Sequence, residues 1–537
     1  MKQLSGLDEL LLAYEQRNQC MHVAALGIYD PSTVPGGHVR FRDIIAHFRA
    51  RLDVAPVFRR RMISTPFGID RAYWIDEPEV DLEYHVRHIA LPHPGDWRQL
   101  CIQVARIHSR PLDRTKPLWE AYVIEGLNRV QGVPQGSFAV YVKFHSAAVD
   151  GETGAQMLRA LHTMIAAPEL FATTNMVMVD REPTALELYA RTLLNAANRV
   201  PRFGRTMSSV ALRVVGAAVD SVRGMQHTSL RRGLLGLLGW PKQAPTVRFR
   251  NEVSPHRVIE CVGLPMEGLK LIRAKAEGSS TNDILLAVIG GAVQAYLADK
   301  GEAPEETLIA GVPLTIGNLV PGADAGSNVG FTHVPLHTDI ADPAERLRAI
   351  QRDVRRARRA TDVISRDVVR HLVDDLPTPA AELLTRHLLI GSMNLVVSDT
   401  RGPEVPMYLA GARLAQFCPL STVVDNMGLS INGFSYNNVL WIGVVSCRKM
   451  MPDPDVFVKH IRENFDALVH AFSNQRTTSR REVGAASPLH RMRPHVRAAN
   501  AVTPAGGIDV ASPDATIHIP LSDETVADDV RLSRPLN

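Results

Sequence analysis

The stretch Phe138 to Gly151 reads FAVYVKFHSAAVDG. Phe138, Val140, Val142 and Phe144 fall on one face of an alternating run, with Ala139, Tyr141, Lys143 and then His145 on the other, which is the period-two signature of a β-strand. After Gly151, Met157, Leu158, Leu161 and Ile165 recur at helical spacing. A strand, a tight polar turn and a helix form a unit of an α/β fold, and functional groups concentrate on such loops. The turn holds His145, Ser146 and Asp150. Asp150 also suits the cap of the helix, and Gly151 eases the turn, so a structural role is open to both.

The same two periods recur on either side. Upstream, Leu4–Glu15 reads as a capped helix, with Ser5 and Asp8 spaced for a capping box, and Arg42–Leu52 and Trp97–His108 follow it. Short strands are expected at Tyr73–Ile75, Val86–Ile89 and Tyr122–Ile124. Downstream, strands are expected at Val258–Val262, Thr307–Val312, Phe331–Leu336, Leu395–Ser398, Met427–Phe434 and Leu440–Val445. Helices are expected at Met266–Ala276, Asn282–Leu297, Pro343–Arg359 and Pro454–Phe472. The pattern divides the chain into a first domain (1–171), a connector (172–256), a second domain (257–473) and a disordered tail (474–537).

In the connector, Leu193–Arg205 and Ser229–Trp240 are basic and amphipathic. Two readings stand for Ser229–Trp240: a helix lying on a membrane surface, or a crossover helix packed on the protein. The apolar run Ile284–Ala298, roughly 15 residues, is shorter than the ~20 that span a bilayer and reads as a buried helix.

Composition narrows the function. The 537 residues are 45% hydrophobic and 22% charged, which fits a folded multidomain protein. With 60 basic and 56 acidic residues the formal charge is only +4, which argues against a dedicated nucleic-acid binder. Five cysteines without pairing intervals, and no secretory leader pattern after Met1, point to the cytoplasm. No phosphate loop, GxGxxG, HExxH or GxSxG occurs, so nucleotide hydrolysis, Rossmann chemistry, zinc proteolysis and the serine-hydrolase elbow lose support.

The segment His145–Gly151 resembles the HHxxxDG motif of the wax ester synthase/diacylglycerol acyltransferase family. Further stretches resemble that family in the same order: Leu4–Asp8, Arg110–Arg114 with Pro117, Leu118, Trp119 and Glu120, and Thr281, Asn282 and Asp283. Gly326–Asn328, Val334–Leu336, Asn394–Ser398 with Gly402 and Pro403, Tyr408–Ala412, and Leu429–Tyr436 continue the series to about residue 472. The resemblance implies two related α/β domains, each a mixed sheet with flanking helices, and an active-site tunnel between them. It implies acyl transfer from long-chain acyl-CoA to diacylglycerol or a fatty alcohol, with no metal, no further cofactor and no acyl-enzyme. Such apolar substrates, together with the amphipathic connector, imply a peripheral place on the cytoplasmic membrane or lipid droplets.

The second histidine of the family motif is usually the general base. Aligned on Asp150 and Gly151, that position is Ser146, and the first histidine is His145. Serine cannot act unaided as such a base. Three alternatives follow: His145 or another group substitutes as base; the protein binds acyl-CoA or neutral lipid without turnover; or Ser146 is a nucleophile activated by a distant histidine such as His333 or His387. Pro117, Leu118 and Trp119 fix a strand entry or touch substrate. Asn282 and Asp283 cap their helix or support the motif. Asp399 stands where the family often has Asn.

Overall fold

The computed structural model describes residues 1–16, 18–66, 70–149, 161–166, 181–195, 243–315, 329–363 and 390–474. Asp150, Gly151 and residues 152–160, where a helix is expected to start, Ser229–Trp240 and the tail from residue 475 therefore lie outside the described residues.

The alternating run forms strand β7 (Phe138–His145), and every position of it is buried. Both faces are apolar enough to be covered. Ala139 and Tyr141 pack with Leu100 and Val104 of helix α4 (Trp97–His108), while Val140, Val142 and Phe144 join a second cluster around Phe48, Phe58 and Trp119. A strand buried on both sides must pair its polar side chains internally, and Lys143 and His145 do so.

Strand β7 sits in a six-stranded sheet of order β12-β13-β2-β7-β6-β5. The first-half strands are β2 (His22–Asp30), β5 (Val86–Ala90) and β6 (Trp119–Glu125). Strands β12 (Tyr408–Leu409) and β13 (Ala412–Leu420) come from the second half of the chain. All pairings are antiparallel except β5–β6. A small sheet of β1 (Lys2–Gln3), β4 (Tyr73–Asp76) and β3 (Arg60–Ile63) stands apart from it. Helices α1 (Gly6–Tyr14), α2 (Phe41–Arg49) and α3 (Leu82–His85) complete the first half.

The second mixed sheet runs β10-β9-β11-β14-β15-β8. Its strands are β8 (Arg257–Pro265), β9 (Ile309–Thr315), β10 (Val329–Pro335), β11 (Leu395–Arg401), β14 (Leu429–Tyr436) and β15 (Val439–Cys447). β11 is parallel to both β9 and β14. Helices α5 (Met266–Lys275), α6 (Thr281–Asp299), α7 (Pro343–Val363) and α8 (Pro454–Ser473) flank it. Helix α6 is long and apolar enough to cross a membrane, yet most of it is buried in the protein core. An all-round apolar helix is what such a position requires. Two mixed sheets with flanking helices are what the resemblance implies.

Five strands were not legible as such: the short β1, β3 and β12, and the two long strands β2 and β13. His22–Asp30 lacks alternation, and Ala412–Leu420 has its partner, β2, nearly four hundred residues upstream. β13 leaves the second half to pair with β2 from Ala24 to Asp30, and it crosses β15 where Gly443 has no side chain: a Cβ there would overlap the Pro419 carbonyl oxygen.

Candidate active site

His145 ends β7, hydrogen-bonded through its backbone N–H to the carbonyl of Leu118 at 3.0 Å. The backbone N–H of Ser146 donates to the carbonyl of Met21 at 2.7 Å, and residues 146–148 form one 3₁₀ turn. The His145 Nδ1 accepts from the Ala147 N–H at 3.1 Å, which caps the turn and leaves the ring proton on Nε2. That Nε2–H faces Glu15 Oε2 at 3.4 Å. The His145 side chain is fully buried, whereas Ser146 is half-exposed.

Glu15 follows the last residue of α1 and is the centre of this cluster. Arg114 Nη2 donates to its Oε2 at 2.9 Å and to the Leu12 carbonyl at 2.8 Å. Burial pushes the Glu15 carboxyl up, but His145 and Arg114 more than offset this and hold it below the usual range. Its other oxygen lies 3.6 Å from His22 Nε2. The His22 Nδ1–H points to the His108 carbonyl at 3.4 Å. Burial, aided by Lys143 and His108, keeps His22 well below its ordinary pKa and so uncharged.

His108 is neutral for the same reason. Its Nε2–H donates to the Ser421 carbonyl at 3.2 Å, its Nδ1 accepts from Tyr141 Oη at 2.7 Å, and burial pushes its pKa to about 3. Lys143 donates to the carbonyls of Arg110 (2.8 Å) and Ile107 (3.3 Å) and lies 3.3 Å from Glu120. Glu15, Cys20 and His22 place a carboxylate, a thiol and an imidazole within 4.8 Å of one another, a donor set that could hold a metal ion. The Cys20 thiol donates to the Ser109 carbonyl at 3.4 Å.

Pro117, Leu118 and Trp119 are buried at the entry to β6. Trp119 stacks on His85 at 4.5 Å and its indole N–H donates to the Phe58 carbonyl at 3.1 Å. Leu118 meets the site through its carbonyl oxygen, on the His145 N–H. The residues around Asn282 divide differently from expectation. Ser280 is the N-cap of α6, Asp283 completes its capping box, and Asn282 makes no cap bond, because the helix begins one residue earlier than its apolar pattern. Asp283 Oδ1 is buried without a hydrogen-bond partner among the described residues.

His333, a candidate to activate Ser146, has its Nε2 2.6 Å from Ser392 Oγ instead; His387 lies outside the described residues. Ser398 donates to Asn432 Oδ1 at 2.9 Å, and Asn432 donates to Ser430 at 3.3 Å, a short polar ladder across β11 and β14. Beside it, burial pushes the Asp399 carboxyl up to about 6. Glu15, His22, His108 and Arg114 were not singled out from the sequence. The available signal was Lys143 and His145 on one face of an otherwise apolar strand, which demands buried partners without saying where they lie in the chain.

Comparison with known proteins agrees with this architecture. The wax ester synthase/diacylglycerol acyltransferase catalytic-domain model matches residues 4–285, and the C-terminal-domain model of the same family matches residues 325–469. A Mycobacterium tuberculosis relative, provisionally named a diacylglycerol O-acyltransferase, is 31% identical over 476 residues, covering 87% of this chain and 99% of its own. The O-acyltransferase WSD of Acinetobacter baylyi is 28% identical over 490 residues, 88% of this chain and 98% of its own. Among solved structures, the wax ester synthase/diacylglycerol acyltransferase of Marinobacter aquaeolei shares the fold, with a TM-score of 0.58 and 22% identity over 88% of this chain and 100% of that one. The first condensation domain of the CDA synthetase shares it more distantly, with a TM-score of 0.51 and 14% identity over 87% of this chain and 96% of its own. With both family models matched in order across the two sheets, the chain belongs to the wax ester synthase/diacylglycerol acyltransferase family, a family of acyltransferases.

Proposed function

We propose that the protein transfers a long-chain acyl group from acyl-CoA to the hydroxyl of diacylglycerol or a fatty alcohol, giving triacylglycerol or a wax ester. The observation that carries this reading is the family match across both halves, joined to a strand-end turn that holds His145 and presents Ser146 where the motif places its reactive residues. The acceptor oxygen attacks the thioester carbonyl, the carbon–sulfur bond breaks, and CoA leaves with the proton. Acyl-CoA is the co-substrate, and the step needs neither metal nor further cofactor.

His145 has one nitrogen in the turn and the other on Glu15, so in this conformation it is a positioning residue with no lone pair free for the acceptor. Catalysis then rests on holding the two substrates together, with the Ser146 hydroxyl orienting the acceptor. Losing a general base typically costs on the order of 10²–10⁴ in rate. The protein is accordingly a slow acyltransferase that works at a cytoplasmic membrane or lipid-droplet surface. Leu186, Tyr189, Leu193 and Leu194, exposed on the helix at residues 185–195, support membrane contact.

The test is CoA release from a long-chain acyl-CoA with diacylglycerol or hexadecanol as acceptor, wild type beside Ser146→His. Slow but acceptor-dependent release, accelerated in the variant, is expected. Silence from both proteins would sink the reading. Flotation with liposomes tests the membrane part separately.

A further inference from the structure

A cavity of about 1210 Å³ opens between α4, β8, β13 and the start of α8, larger than most small-ligand pockets (~300–1,000 Å³). Six arginines line it: the buried Arg257 of β8, and five at exposed positions, Arg98 and Arg106 from α4, Arg129 from the β6–β7 connection, Arg448 after β15, and Arg462 from α8. None of the five exposed arginines forms an ion pair with a carboxylate among the described residues.

The carboxylates that share the cavity are mostly engaged elsewhere. Asp96 caps α4, Glu260 accepts from the Trp97 indole and the Cys261 N–H, and Asp453 is held by Lys300 and Tyr296. Asp455 stands in the first turn of α8. The wall beneath is apolar: Leu26, Ile28 and Phe417 with the thiols of Cys101, Cys261 and Cys418. Trp97 and Trp441 also face the cavity.

Five exposed guanidinium groups from four separate segments, with Arg257 and Lys459, outnumber the carboxylates Asp96, Glu260, Asp453 and Asp455 that share the cleft, and this excess creates a positive field focused by the low-dielectric walls. The planar guanidinium matches phosphate oxygens through paired N–H donors. An arginine rim above an apolar wall fits a ligand that carries several phosphates and an apolar part. The cavity also leads toward the cluster already described. Ser109 and Arg257 line it, and the Ser109 carbonyl accepts from Cys20, two residues before His22.

We infer that this cleft is the docking site for the phosphate groups of a phosphorylated amphiphile, the nucleotide end of acyl-CoA. This rests on the acyl-CoA reading above. The same chemistry is offered by an anionic phospholipid headgroup, and the experiment separates the two.

Titration calorimetry on the full chain would use CoA, adenosine 3′,5′-bisphosphate and phosphatidate-containing vesicles in turn. The variants are Arg98→Ala with Arg106→Ala, and Arg448→Ala with Arg462→Ala; Arg352→Ala on α7 is the control. CoA and the bisphosphate should each bind about tenfold or more weaker to either pair, with the control and the unfolding midpoints unchanged. If wild type turns over acyl-CoA while both pairs bind CoA as wild type does, the assignment of the cleft is overturned and the acyltransferase reading stands. If only the vesicles bind, and lose binding in the pairs, the phosphate site stands with lipid as its source and the acyl-CoA reading falls. If wild type binds none of the three probes, the phosphate site is overturned.

Discussion

Glu15 Oε2 lies 3.4 Å from His145 Nε2, so the residue that ends the first helix touches the histidine at the end of the central strand, 130 positions later in the chain. Arg114, on the same carboxylate oxygen, ties in the segment that leads into β6. Three distant pieces of sequence meet at one carboxylate.

Removing that charge should be felt in stability before chemistry. Glu15→Gln keeps the shape but leaves Arg114 and His145 facing a neutral amide, and a loss of about 1–3 kcal/mol is expected. Glu15→Ala should cost more, because it also opens a void. Urea unfolding midpoints measure both, and a midpoint unchanged in Glu15→Gln would show that the cluster is electrostatically idle.

At position 146 the expectation is a gain. Ser146→His should raise the acceptor-dependent rate by about 10²–10⁴, with the new rate rising through the histidine pKa as pH increases. Ser146→Ala should change the slow wild-type rate by less than about tenfold. A collapse of the rate in Ser146→Ala would instead assign the serine an essential chemical role.

Where β13 crosses β15, Gly443→Ala should destabilise by about 3 kcal/mol or more, since the Cβ meets a backbone carbonyl that cannot move without breaking strand pairing. Thermal unfolding reads this directly. Gly301→Ala, where a side chain meets nothing within 4 Å, is the comparison; its cost should be limited to that of a positive φ.

Asp399 carries a pH signature. Its folded pKa of about 6 lies above the ordinary value of 3.8, so between those limits the folded state holds more protons than the unfolded chain. Stability therefore falls as pH rises from about 4 to about 6, by at most about 3 kcal/mol. Asp399→Asn should abolish this part of the profile and be the more stable protein at neutral pH. Denaturant titrations at pH 4.5 and 7 compare the two, and equal pH dependence in both proteins would refute the assignment.

His108 contributes the opposite slope. Held neutral in the fold with a pKa of about 3, it takes up a proton on unfolding below about 6.5, so its share of stability is lost as pH falls through that window. In His108→Gln the acid limb should flatten. A limb as steep as in wild type would place the acid sensitivity elsewhere.

Much of the architecture was legible because it is local. The period-two run of β7, the spacing that buries one face of α4, and the Ser5–Asp8 capping box each depend on residues within a turn or a strand of one another. The long apolar run is a core helix, as expected, but it is burial that shows this: at 19 residues the helix is itself long and apolar enough to cross a membrane. The extra residue at its start was missed because Ser280, its N-cap, lies outside the apolar pattern, although its spacing to Asp283 is a capping signal.

By itself the sequence determined the strand and turn that end at His145 and Ser146, and the order of the family segments. These are properties of neighbouring residues and of chain order. Only the tertiary structure decided that Glu15 and Arg114 hold His145, that His22 and His108 lie uncharged beside it, and that β13 completes the first sheet. Such contacts join residues a hundred or more positions apart. Burial makes them obligatory, since an unpaired charge in the core is too costly to keep, but it does not name the partner; the packing of the chain does.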